Sequence, residues 1–188
     1  MKKSIISIFF FVLIVASGCQ NQTENLKKET TDILAKQTAY LVKGEIEKSS
    51  DYVFFKNAEN KKAFIEEGKK SYRQLQNANT TITVGNSLYV KERNSIALSL
   101  IELTYQYDDL SYTDVTAALF IKKEGAWKTV LKTDLTEKEL ETVDILATEL
   151  TNKIKEDEQL NKKLQEYKNE QMEVSPKIQQ KINEQLNN

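Results

Sequence analysis

Apolar residues recur along this chain in three successive patterns, and each change of pattern marks a change of structure. Residues 5–16 are apolar apart from Ser7 and follow the basic start Met1, Lys2 and Lys3. Roughly 12 apolar residues cannot cross a hydrocarbon core that needs about 20, so the run predicts a secretory leader and not a spanning helix. A polar stretch at 20–25 follows, and an extended reach of about 3.5 Å per residue holds what comes next within roughly 20 Å of residue 19. Leu26, Ile33, Leu34, Tyr40 and Leu41 then recur at helical spacing, which predicts an amphipathic helix over 24–43 closed by Gly44. The clustered Tyr52, Val53, Phe54 and Phe55 predict a short second helix over 46–55. Asn57 is placed to cap a third helix running to Leu75, with Phe64, Ile65, Tyr72 and Leu75 on one face.

From Asn79 the period becomes two. Strands are predicted at 80–91, 95–107, 111–123 and 126–134, joined by links too short for a parallel crossover, so the four form an antiparallel meander. Ile96, Leu98 and Leu100 alternate with Ile101, Leu103 and Tyr105 onto opposite faces, which makes the second of these strands an inner one. Glu124 and Gly125 read as a tight hairpin into Trp127. At Leu135 helical spacing returns: Thr136 and Glu139 form a capping box, and Leu135 with Leu140 a hydrophobic staple. That helix runs through Leu140, Val143, Leu146, Leu150 and Ile154 toward Tyr167, with a solvated second half. Ser175 and Pro176 read as N-cap and first residue of a last helix, whose Ile178, Ile182 and Leu186 stripe is expected to fold back on the domain. The expected fold class is α+β: N-terminal helices packed on a curved antiparallel four-stranded meander, cone-like, followed by a C-terminal helical extension. The segments are 1–18, a leader; 19–25, a tether; 26–134, an α+β domain; and 135–188, the extension.

Cysteine usage changes the picture most. Cys19 is the one cysteine, and it follows Ala16, Ser17 and Gly18 at the end of the apolar run. This ending resembles the lipobox of bacterial lipoproteins, in which the cysteine sulfur receives a diacylglycerol and the preceding peptide is removed. Ala16 departs from the Leu, Val or Ile more usual there. The resemblance implies lipid attachment at Cys19 and a place on the extracytoplasmic face of a bacterial cell membrane, with acyl chains contributing about 0.8 kcal/mol per buried methylene. With Cys19 consumed and no histidine in the chain, cysteine nucleophiles, Ser/His couples and Cys/His metal sites are excluded. Loss of the leader leaves 25 bases against 28 acids, a net charge of −3 over 170 residues, which gives no footprint for nucleic acid. No cofactor or metal is expected.

Three helices feeding a meander, with Lys43, Gly44, Glu45, Ile46 and Glu47 at the first helix end, are similar to the nuclear transport factor 2-like family. So is the hairpin run Phe120, Ile121, Lys122, Lys123, Glu124, Gly125, Ala126 and Trp127 with Val130. The resemblance covers about 26–134. It implies a cone with a cavity between sheet and helices, for which Tyr40, Tyr105, Phe120 and Trp127 are the candidate lining. Some relatives use that cavity for isomerase or dehydratase chemistry, and Tyr40, Glu102, Tyr105, Tyr112 and Asp114 are the residue types such chemistry would need. No spacing pairs them, so no catalytic residue is assigned. The expectation is a noncatalytic binding or scaffolding role toward an envelope protein, with binding of a small apolar ligand as the alternative and enzymatic activity behind both.

Overall fold

The computed structural model describes the backbone of residues 4–186 and the side chains of residues 21–181 and 184. The side chains of the leader and of Cys19 lie outside the described residues. Helix α1 (Ser4–Val42) contains the predicted 24–43 helix except its last residue, and also residues 20–25, so the polar tether is helical and rises about 1.5 Å per residue instead of 3.5. Its Leu26, Ile33 and Leu34 pack on Val90, Ala97, Ile101, Phe120 and Trp127 of the sheet. Thr30 is fully buried on that face, and its hydroxyl is satisfied by donating to the Leu26 carbonyl at 2.9 Å. Gly44, at φ 76°, ends the helix, and its missing Cβ is what admits the Tyr72 ring, which would lie 2.8 Å away from one.

Beyond Gly44 the single helix expected over 46–55 is corrected. Only α2 (Ile46–Ser50) is helical, and Val53–Phe54 form strand β1, parallel to the last strand of the sheet, with Val53 opposite Thr129. The Thr129 N–H donates to the Tyr52 carbonyl at 2.9 Å, so a backbone partner distant in sequence outweighs local helical tendency. Helix α3 (Ala58–Asn77) follows, with the Asn57 side chain accepting from the Asn60 N–H at 2.8 Å as its cap.

The meander is β2 (Thr80–Arg93), β3 (Ile96–Tyr107), β4 (Leu110–Lys123) and β5 (Ala126–Val130), in the order β1-β5-β4-β3-β2. All pairs are antiparallel except β1 with β5. The turn after β2 falls at Asn94 and Ser95, one residue later than predicted, with φ of 51° and 62°. The last strand stops at Val130, short of the predicted Asp134. Lys132–Asp134 are a single 3-10 turn, which buries Asp134 where its carboxylate accepts from the Lys56 N–H at 2.8 Å and the Asn60 amide at 2.6 Å. β3 is an inner strand, buried on both sides, as its pattern predicts.

Its second face is covered by the C-terminal helices. α4 (Glu137–Glu156) opens on the Thr136–Glu139 capping box and lays Val143, Leu146 and Leu150 on Ile96, Leu98, Leu100 and Ile121. The helix break lies at Asp157, not at Ser175, and this too corrects the sequence reading. Asp157 Oδ1 accepts from the Leu160 N–H at 3.0 Å and so caps α5 (Glu158–Leu186), while Oδ2 pairs with Lys153 at 2.9 Å. Pro176 lies inside α5. It leaves the Met172 carbonyl without an i+4 N–H donor, on a turn where Met172 is 66% exposed and the lost bond costs least. The result is an α+β fold with helices on both faces of one sheet, so that the 26–134 segment shares a core with α4 and the first turns of α5.

Candidate functional site

Glu102 lies at the centre of the best-built polar cluster. It stands on inner strand β3, facing α5, and the residue is only 7% exposed. Opposite it, β2 breaks register between Val84 and Ser87. Gly85 sits in that irregularity, and a Cβ there would come within 3.0 Å of the Glu102 carboxylate. The break turns the Asn86 N–H onto Glu102 Oε2 at 3.1 Å. Oε1 accepts from the Tyr167 hydroxyl and the Lys163 ammonium, both at 2.6 Å, and Lys163 also lies 5.5 Å from the Tyr167 ring centre.

Burial pushes the Glu102 pKa up, but the hydrogen bonds from Lys163, Tyr167 and Asn86, with the Lys163 charge, outweigh it and hold the carboxyl below its ordinary value. The hydrogen bond to Glu102 raises Lys163, and burial followed by the same carboxylate raises Tyr167. All three ionisations are driven away from neutrality, the opposite of what a general acid or base needs. The arrangement is that of a latch: a buried carboxylate that binds two side chains of α5.

Further contacts continue along the same helix. The Glu170 carboxylate accepts from the Thr113 N–H at 3.2 Å, and the Gln171 amide donates to Asp114 at 3.4 Å. Asp114 also takes the neighbouring Val115 N–H at 2.7 Å. β5 does not pair with this half of β4. The Thr113 and Val115 N–H groups therefore belong to an open sheet edge, and two carboxylates cap them. Lys181 pairs with Asp109 at 2.5 Å near the end of the helix.

The other expected site residues are dispersed. Tyr105 and Tyr112 are cross-strand partners stacked at 5.1 Å, and Asp114 lies next along the same face, opposite Leu103. Burial raises both phenols, and the Asp114 charge adds to this. Tyr40 stacks on Tyr52 at 5.9 Å, apart from the Tyr105–Tyr112 pair. Phe120 and Trp127 meet in the core under α1. A cavity of 350 Å³ does open between α1, α3 and the sheet, and other residues line it, among them Leu34, Phe64, Leu119 and Leu131. Its polar feature is the Thr129 hydroxyl donating to the Gln37 side chain at 2.9 Å. Sequence reasoning missed Gln37, Thr129, Lys163 and Tyr167. The available signal for the last two was the helical spacing of Leu160, Lys163, Leu164, Tyr167 and Gln171, one face of which only the leucines looked apolar.

Among the described residues, no group of three or more carboxylate, thiol or imidazole side chains is placed to hold a metal ion, and no helix is long and apolar enough to cross a membrane. The fold and site define an α+β chain with a sheet between two helical layers. No protein-family model matches it, and no curated protein and no solved structure is significantly similar to it.

Proposed function

We propose that this chain is a bacterial lipoprotein, held on the extracytoplasmic face of the cell membrane by a diacylglycerol on Cys19. Its domain, similar to the nuclear transport factor 2-like family, then has a noncatalytic binding or scaffolding role toward an envelope protein. The observation that carries the reading is the placement of the one cysteine directly after Ala16, Ser17 and Gly18, at the end of an apolar run behind Lys2 and Lys3. The noncatalytic part is supported by Glu102, the most buried of the candidate carboxylates, whose oxygens are occupied by three donors, two of which fasten α5. The 350 Å³ cavity lined by Leu34, Phe64 and Leu119, with Gln37, Thr129 and Lys132 as its polar side chains, supports a second reading, binding of a small apolar ligand. Mild crosslinking of the anchored protein in its native cells separates the two. A discrete protein adduct of fixed mass is expected for a scaffolding role. Absence of any protein adduct, together with a rise in melting temperature on adding cell lipid extract, would replace it with the ligand-binding reading.

A further inference from the structure

We infer that the domain stands on the membrane with one particular end down, the end that carries the β2–β3 and β4–β5 turns. This orientation rests on the lipid-anchor reading of Cys19 and goes beyond it. The first described side chains of α1 fix the geometry. Gln22, Thr23 and Leu26 share a cleft with Val90, Lys91, Glu92, Arg93 and Asn94, so the helix leaves the domain beside the β2–β3 turn. The β4–β5 turn lies at the same end, because the Lys122 N–H donates to the Ser95 carbonyl at 2.8 Å and Ile96 pairs with Ile121. Gln22 is three positions beyond Cys19, and even fully extended that stretch spans only about 11 Å. The opposite end, with the Asp108–Asp109 turn, is farther by the length of β3, whose 12 residues cover about 40 Å.

Charge agrees with this placement. Lys91, Arg93, Lys122, Lys123 and Lys128 surround the lower turns, against Glu92 and Glu124, whereas the upper turn carries Asp108 and Asp109. Arg93 pairs with Glu149 at 2.8 Å and Lys123 with Glu139 at 3.1 Å. Lys91, Lys122 and Lys128 have no ion-pair partner among the described residues, Lys122 lying 5.5 Å from the Trp127 ring centre, and the three add positive charge on the side of the anionic headgroups. The surface left for an envelope partner is then the membrane-distal end, with the Tyr105–Tyr112 stack and the last turns of α5.

The lipidated chain keeps no thiol of its own, so one introduced cysteine is a unique labelling site. Full-length Glu92→Cys and Ser111→Cys, each lipidated and carrying the same donor dye, are placed in mixed phosphatidylcholine and phosphatidylglycerol vesicles with an acceptor on the headgroups. Transfer from position 92 is expected to exceed that from position 111 at least about threefold, given the strand length between them. Equal transfer, or more from 111, in protein that floats with the vesicles overturns the orientation and leaves the anchor standing. Failure of both labelled proteins to float with the vesicles overturns the anchor, and the orientation with it.

Discussion

Glu102 couples the docking of α5 to pH. Its carboxyl is held below the ordinary carboxylate value, because donors from Lys163, Tyr167 and Asn86 outweigh the effect of burial. A depressed folded-state pKa means that the charged form stabilises the fold above the unfolded pKa, near 4.5, and that this contribution is lost as pH falls through the lower folded value. Glu102→Gln keeps the size and loses the charge. It is expected to lower stability at neutral pH by about 1.5–3 kcal/mol, the range for hydrogen bonds to a charged group. Urea midpoints of variant and parent should converge as pH falls below the ordinary carboxylate range; a gap that stays constant down to acid denaturation would show that the charge is not what Lys163 and Tyr167 bind. Little of this latch was legible in the chain. Tyr167 lies 65 residues from Glu102, and nothing near either residue announces the other.

Helices and strands were legible where one local signal stood alone. Asn57, Thr136 and the Glu124–Gly125 turn are all found where their short-range chemistry places them. Errors arose where a local signal competed with packing. Ser175 and Pro176 have the residue types of a helix start, yet the face of Leu160, Leu164 and Tyr167 was already docked and carried the helix through them. β1 was invisible because its two residues take their partners from β5, 76 positions away by register. The break between α4 and α5 depends on Asp157, which caps one helix and pairs with the last turn of the other. Asp157→Ala removes the cap from the Leu160 N–H, and a lower midpoint is expected in thermal or urea denaturation. Asp157→Asn, which keeps the acceptor, should recover most of that loss. Equal destabilisation by both variants would contradict capping as the role of this residue.

At the scale of the whole molecule, the fold class follows from the two periods of the sequence, and the two-sided burial of the sheet follows from β3, apolar on both faces. The pattern did not say that α4 and α5 close the second face. Their inward residues Val143, Leu146, Leu150 and Leu160 are distributed over two helices, with polar partners such as Lys163 and Tyr167 completing the contact. This closed core leaves the ends of the sheet as the surfaces that differ most, one beside the start of α1 and one under the last turns of α5. Under the proposed anchor at Cys19, the first would face the membrane and the second would be left for a partner. The account depends most on that anchor. The direct measurement is fractionation of cells expressing Cys19→Ala beside the parent chain: the parent is predicted to sediment with membranes and the variant to appear in the soluble extracytoplasmic or secreted fraction, whereas equal membrane retention of the two would contradict lipid attachment at this residue.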